Sequence, residues 1–191
     1  MFGIALPNSQ TLYAAGTTST GPANNGTGKL VVTDISNPAQ ISVVATVPVP
    51  LTKDLYQPLI QGNLAVALCD DGGYRGVFSP ADGIAYTGHI VVTTFDIANV
   101  RQPVVLASVV TSYQPGAGGG SAQIGTNLFL FGGVRDSAGN NVLLLVDTTN
   151  RLNPFVRSYP VRRRSRAWWS QATCCIPRPA LPVMPLTRFR A

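Results

Sequence analysis

Three stretches of the chain share one pattern of apolar and polar residues. In each, an apolar run ends in Asp, a polar corner follows, and a second apolar run comes after the corner. The stretches are KLVVTDISNPAQISVVATV from Lys29, IVVTTFDIANVRQPVVLASVV from Ile90 and VLLLVDTTNRLNPFVRSYPV from Val142. Short runs rich in Val, Ile and Thr predict β-strands, because β-branched side chains fit the pleated surface of a sheet.

A further apolar run precedes each stretch. These runs are TLYAAG from Thr11, NLAVAL from Asn63 and NLFLF from Asn127, and we align them at their leucines. Each unit is therefore predicted to form four short antiparallel strands joined by turns. The three units cover about residues 3–50, 56–111 and 113–161.

The units differ in length mainly in the loop between the second and third strands. Repeat proteins place such insertions on one face, which is often the binding face. We therefore expect variable hairpin loops to carry any contact with a partner.

The polar corner after each apolar run contains an Asp and, three residues later, an Asn. The residues are Asp34 and Asn37, Asp96 and Asn99, and Asp147 and Asn150. Such side chains hydrogen-bond nearby backbone N–H groups, and Asn tolerates left-handed backbone angles. We interpret the corner as turn chemistry that folds the third strand back into the fourth, and not as an acidic catalytic or calcium-binding cluster.

The units resemble the blades of a β-propeller, and most closely those of the LVIVD-repeat propellers. The segments that carry the resemblance are GNLAVA, residues 62–67, and KLVVTDISNPAQI, residues 29–41. The third unit keeps the Asp, Asn and Pro but loses the Ile-Ser pair. The resemblance implies an all-β fold, an incomplete β-propeller of about three four-stranded antiparallel blades. It implies no particular function, because propellers serve binding, scaffolding and several chemistries.

Three units are fewer than the four to eight blades that are typical of closed propellers. The sequence therefore predicts one arc of a larger ring. The remaining blades would come from another polypeptide, from a second copy of the chain, or from nowhere. A chain with unpaired blade edges is expected to be marginally stable or to self-associate.

Residue content favours strands over helices. The chain has no Glu and only two Lys, Lys29 and Lys53, although helices favour both residue types on their surfaces. No long apolar run is present, so no membrane span is predicted. The start, MFGIALPNSQ, lacks the basic residues and long apolar run of a signal peptide. The compartment stays open, but abundant Thr, Asn and Gly, together with the resemblance, favour a secreted, periplasmic or cell-surface parent.

The net charge of +6 is unevenly distributed along the chain. Residues 1–161 hold seven Lys or Arg and eight Asp, a balance of −1, whereas residues 162–191 hold seven Arg and no acid, a balance of +7. The basic balance thus belongs to a tail. No nucleic-acid partner is predicted for the folded part.

Residues 162–191 depart from the repeat pattern and are predicted to be disordered, because they cannot bury an organised apolar face. One interpretation is a basic arm with Trp168 and Trp169 that binds nucleic acid or anionic lipid. Another is a redox pair of Cys174 and Cys175, although adjacent cysteines form a strained bridge. We favour a third, that the tail is not native propeller sequence and results from a shifted reading frame or a misplaced gene end. Coding DNA in which no shift near codon 161 restores blade-like residues would refute it.

The insertion at residues 69–88 contains the main candidates for partner contact, Asp70, Asp71, Tyr74, Arg75 and Phe78. Tyr and Arg commonly anchor interfaces. Adjacent Asp residues can also contribute oxygens to a calcium site, but the spaced acids of an EF-hand loop are missing. We favour a loop without a binding role over a contact loop, and a contact loop over a calcium site.

A second hairpin, residues 133–141, contains Arg135 and Asp136 beside a Gly-Asn turn. These two residues are further candidates for partner contact, although the segment is typical of a plain hairpin tip.

No catalytic residue, metal site or cofactor is predicted. The lone histidine, His89, opens a strand and has no partner identifiable in the sequence, so a structural role is favoured. The Gly-rich segment at residues 116–125 does not match a phosphate-binding loop and is interpreted as a connection between blades.

These observations predict a non-enzymatic binding module whose variable hairpin loops contact a protein or glycan partner. One alternative is a fragment of a propeller enzyme, hydrolytic or cofactor-dependent, whose active site needs further blades. Another is a truncated gene product without activity of its own. Acids, bases or metal ligands repeated along a central channel would distinguish an enzyme from a binding module.

Overall fold

The computed structural model describes residues 3–17, 26–56, 58–72, 88–116 and 120–161. Within these ranges the chain forms β-strands and no α-helix, so the all-β prediction is confirmed. The predicted disordered tail and the contact candidates Tyr74, Arg75 and Phe78 lie outside the described residues.

The strands form three antiparallel sheets that follow one another along the chain. The first sheet contains β1 (Ile4–Ala5), β2 (Thr11–Thr17), β3 (Gly28–Asp34) and β4 (Ser42–Pro48). The second contains β5 (Asp54–Leu55), β6 (Leu59–Gln61), β7 (Leu64–Asp70), β8 (Ile90–Asp96) and β9 (Val104–Val110). The third contains β10 (Gln114–Pro115), β11 (Ser121–Gly125), β12 (Leu128–Arg135), β13 (Asn141–Asp147) and β14 (Phe155–Pro160).

The prediction of four strands per unit holds for the first sheet only, since the second and third sheets have five. In the second sheet, β5 pairs with one end of β7 and β6 pairs with the other. Pro58 lies between β5 and β6 and has no N–H to donate to a ladder, so the first strand of the meander is interrupted there. In the third sheet, β10 and β11 divide β12 in the same way. The second sheet also begins earlier than residue 56, at Asp54.

The strand register corrects the alignment of the units by one residue. Asp96 lies opposite Leu64 and Asp147 lies opposite Leu128, but Asp34 lies opposite Thr11. Thr11, and not Leu12, is therefore equivalent to Leu64 and Leu128. Because side chains alternate across a strand, a shift of one residue moves every side chain to the other face of the sheet.

With this register, the three sheets present equivalent residues on equivalent faces. We call the face that packs on the following sheet the forward face. It is formed in the first sheet by Tyr13, Ala15, Leu30 and Val32, and in the second by Leu64, Val66, Leu68 and Val92.

The opposite, backward face packs on the preceding sheet. It is formed in the second sheet by Ala65, Ala67, Cys69, Val91 and Phe95, and in the third by Phe129, Phe131, Val142, Leu144 and Val146. Forward face meets backward face in both contacts, so the chain repeats one sheet-to-sheet relation twice. Every residue of β7 is buried because the second sheet is covered on both sides.

The three corners share the same hydrogen bonds. In each, the Asp Oδ1 accepts the backbone N–H two residues on, at 2.9 Å, in the pairs Asp34–Ser36, Asp96–Ala98 and Asp147–Thr149. The Asn Oδ1 accepts a second N–H at 3.0 to 3.1 Å, in the pairs Asn37–Ala39, Asn99–Arg101 and Asn150–Leu152. Each corner is thus two consecutive Asx turns.

Acidification should weaken the corners. The Ser36 hydroxyl and then its amide lower the pKa of Asp34 below its ordinary value of 3.8, and Thr149 lowers the pKa of Asp147 in the same way. A depressed pKa contributes stability that is complete above 3.8 and is lost as the pH falls through the folded-state pKa. The double variant Asp34→Asn, Asp147→Asn keeps the acceptor oxygens but cannot titrate. Its urea midpoint should fall less between about pH 5 and about pH 2 than that of the unsubstituted chain. Parallel curves would contradict this.

Gly28 should not tolerate a side chain. A Cβ there would lie 2.7 Å from Thr52 Oγ1 and 3.0 Å from the backbone carbon of Asp54, in the connection between the first two sheets. We expect Gly28→Ala to lower the free energy of unfolding by about 1–3 kcal/mol, measured by urea titration. Gly16→Ala is the matched control, since its Cβ would meet only the Lys29 side chain, at 3.6 Å. Equal decreases in the free energy of unfolding for the two substitutions would show that the contact of a Gly28 Cβ with Thr52 and Asp54 causes no strain.

Candidate functional site

The two ends of the sheets differ in character. One end holds the Asp corners and the turns between first and second strands. The other, which we call the loop end, holds the connections between successive sheets and the loops between second and third strands. Its described residues are 17, 26–27, 49–54, 70–72, 88–89, 111–113 and 135–141. The predicted contact candidates all fall at the loop end or outside the described residues.

Asp70 lies inside the loop end. Its residue is 1% exposed, and its Oδ2 accepts a hydrogen bond from the Tyr56 hydroxyl. Its backbone carbonyl accepts the Lys53 N–H at 2.7 Å, which ties the second sheet to the preceding connection. The Asp70 side chain therefore makes its contacts inside the protein. Of the two adjacent residues Asp70 and Asp71, only Asp71 is partly exposed.

Asp71 forms a clamp with His89 at the base of the insertion. Its Oδ1 accepts the His89 backbone N–H at 2.6 Å, and its Oδ2 lies 3.4 Å from His89 Nδ1. The two side chains are 30% and 54% exposed, so this side-chain contact adds little to stability by itself. Gly88 lies beneath the clamp with a φ of +139°, and a Cβ there would come within 2.3 Å of the Gly72 nitrogen.

The third sheet contains the same clamp. Asp136 Oδ1 accepts the Asn140 backbone N–H at 2.8 Å, and its Oδ2 accepts Asn140 Nδ2 at 3.0 Å. These hydrogen bonds lower the pKa of Asp136, the Asn140 side chain having the largest effect. The Asp136 N–H also reaches the Asn140 carbonyl, as the Asp71 N–H reaches that of His89. The insertion, residues 72–88, and the hairpin loop of residues 137–139 are thus bounded by equivalent pairs of residues.

The sequence offers only partial signals for this clamp. Asp71 and Asp136 are predicted contact candidates. In the structure, both carboxylates accept hydrogen bonds across the base of a loop. His89 stands where the third sheet has Asn140, and each donates a backbone N–H to the carboxylate. The equivalence of the two partners becomes visible only once strand pairing is known. Arg135 is half-buried and lies opposite Gln114 in the third sheet.

Leu51 is a loop-end residue that sequence reasoning missed. It is 89% exposed and has a φ of +62°, a left-handed conformation that costs free energy for a residue with a branched side chain. Its neighbours are fixed, because Val49 and Thr52 are buried and the Thr52 hydroxyl donates to the Val49 carbonyl at 2.8 Å. The Leu51 side chain is therefore exposed to solvent, while its backbone is held in one conformation.

A groove of about 250 Å³ lies at the opposite end, between the corner of the first sheet and that of the second. Gln10, Asp34, Ser36 and Arg101 contribute polar groups to it, and Val44 and Val100 contribute apolar ones. It is smaller than most small-molecule sites, and its polar groups take part in the turns.

The described cysteine is buried and unreactive. Burial raises the pKa of the Cys69 thiol to about 12, and its Sγ lies 3.3 Å from Thr93 Oγ1, so this cysteine is a poor nucleophile. Within the described ranges, no three His, Cys or Asp residues come together as a metal site. The same ranges contain no helix long and apolar enough to cross a membrane.

No protein-family model matches the chain, and no curated protein matches its sequence. The fold defines the protein as an all-β chain of antiparallel sheets with four or five strands each. The resemblance to LVIVD-repeat propellers stays a prediction.

Replacing Leu51 with Gly should stabilise the fold. Gly adopts a positive φ without a steric cost, and little buried area is lost because the side chain is exposed. We expect the free energy of unfolding to rise by up to about 1 kcal/mol, measured by urea titration. The control is Leu152→Gly, at a 68% exposed leucine without positive φ, where stability should fall by about 0.5–1 kcal/mol. A fall of similar size at both positions would rule out backbone strain at Leu51.

Proposed function

We propose that the chain is a non-enzymatic binding module, one arc of a β-propeller, and that its loop end contacts a protein partner. The repeated forward-to-backward packing of its sheets supports the propeller arc, because propeller blades repeat one relation around an axis. The repeated Asx corners support equivalent units.

The clamp formed by Asp71 and His89 is the observation that carries the binding proposal. It closes the base of the insertion with the same hydrogen bonds that close the short third-sheet hairpin. The clamp therefore holds β7 and β8 in register for any sequence of the insertion. A scaffold that fixes the base of a loop and leaves its content free is suited to recognition.

Leu51 favours a protein over a glycan as the partner. The connection that carries it is tied to the second sheet by the hydrogen bond from Lys53 to Asp70. An apolar side chain held in one conformation loses little entropy on binding. It also offers the kind of contact found in the apolar centre of a protein interface, whereas a glycan presents mainly hydroxyl groups.

The described carboxylates of the loop end support a non-catalytic role. Asp71 and Asp136 accept hydrogen bonds from the loops that they close, and Asp70 accepts one from Tyr56. A general base needs a free lone pair within reach of the proton that it removes. Each of these three carboxylates already accepts at least one hydrogen bond within the fold.

The equivalence of the two clamps allows a sharp test of this proposal. Residues 72–88 are replaced with Ser-Ala-Gly, the sequence of residues 137–139, so that Asp71 and His89 close a short hairpin. The unsubstituted chain is immobilised and screened against a panel of purified extracellular proteins and against a glycan array. We expect a protein ligand whose affinity falls at least about tenfold in the swapped chain and also falls in Leu51→Gly.

Leu152→Gly, at an Asp corner on the opposite end, is the control and should bind as the unsubstituted chain does. Unchanged unfolding of the swapped chain would show that the clamp still closes. A ligand that binds the swapped chain equally well, or ligands that are all glycans, would refute the proposal.

A further inference from the structure

The forward face of the third sheet continues the pattern of the two packed forward faces. It is formed by Leu128, Leu130, Leu143 and Leu145, which the register makes equivalent to Leu64, Val66, Val92 and Thr94 of the second sheet. The four leucines are partly exposed and belong to neither apolar core of the described residues. Contiguous apolar side chains that stay partly exposed are typical of interaction surfaces.

The backward face of the first sheet is the matching surface. It is formed by Leu12, Ala14, Val31 and Thr33, which are equivalent to Ala65, Ala67, Thr93 and Phe95 of the second sheet. These residues are also partly exposed and lie outside both cores of the described residues. The chain therefore carries one surface of each kind that its own sheets use to pack.

We propose that the forward face of the third sheet packs on the backward face of the first sheet in a second copy of the chain. The contact would repeat, between copies, the relation that already joins the first sheet to the second and the second to the third. Such a contact is heterologous, and two copies that make it reciprocally close into a symmetric dimer. The dimer would hold six sheets, within the range of closed propellers.

Side-chain size supports this occupant. Tyr13 shares a core with the small Ala65 and Ala67, while the large Phe129 and Phe131 share theirs with Val66. In both cores, large residues of one face share the core with smaller residues of the other. Leu130 facing Ala14 would follow the same rule, although Leu12 is as large as Leu130.

Charged residues lie at the ends of the two faces. Asp147 and Arg157 lie on the forward face of the third sheet near its corner end. Arg135 lies on the same face at the loop end, and Lys29 lies on the backward face of the first sheet near the loop end. Neither set of four residues contains a charged side chain, so the centre of the contact would bury no charge.

The test is the molar mass of the full chain in solution, measured by sedimentation equilibrium over a range of concentrations. We expect a dimer. Leu130→Glu and, separately, Val31→Lys should each raise the dissociation constant at least about a hundredfold, because each buries a charge in the contact. The control is Leu152→Glu, on an exposed corner residue outside both faces, which should leave the dimer intact.

Mixing the two variants makes the test specific for a head-to-tail contact. One interface of the mixed dimer joins two unsubstituted faces, and the other pairs the new Glu with the new Lys. We expect the mixture to regain dimers that neither variant forms alone, which also shows that both variants are folded. A monomer at all concentrations, an open series of polymers, or a dimer insensitive to Val31→Lys would overturn the proposal. Partner binding is independent of it, since the chain with residues 72–88 replaced should still dimerise.

Discussion

The pairing of β2 with β3, of β7 with β8 and of β12 with β13 is the interaction on which the rest of the structure depends. In each pair the corner Asp lies opposite the first residue of the preceding strand. This register decides which side chains form the forward face and which form the backward face. Because side chains alternate, a shift of one residue in the register would exchange the side chains of the two faces. The hydrogen bonds of the Asx corners fix the pairing at one end of each sheet.

The clamps fix the strand pairing at the loop end of the second and third sheets. Asp71 and Asp136 close loops of very different length with equivalent hydrogen bonds, so an insertion need not disturb the strands beneath it. A carboxylate that accepts N–H groups from its own loop anchors the ends of that loop. The corner end is thus the same in all three sheets, whereas the loop end accommodates segments of different length.

Packing of the second sheet on both sides explains the amino-acid sequence of β7, in which apolar residues run without alternation. In β3 and β13, by contrast, burial alternates from residue to residue, since only one face of the first and third sheets is covered within the described chain. The uncovered face of the first sheet is a backward face, and the uncovered face of the third sheet is a forward face. Both are apolar. The same physical rule, burial of forward on backward faces, therefore accounts for the two cores and for the surfaces that remain.

The sequence alone determined the β-class, the three units and the Asx corners, because each depends on residues close together in the chain. Asp, Asn and Pro at fixed offsets specify a turn wherever they occur. Tertiary structure alone decided that Thr11 and not Leu12 aligns with Leu64, that Asp70 is buried beside Tyr56, and that His89 stands in the place of Asn140. These features depend on strand pairing between distant residues. The conformation of Leu51 likewise follows from its buried neighbours Val49 and Thr52, and no local pattern encodes it.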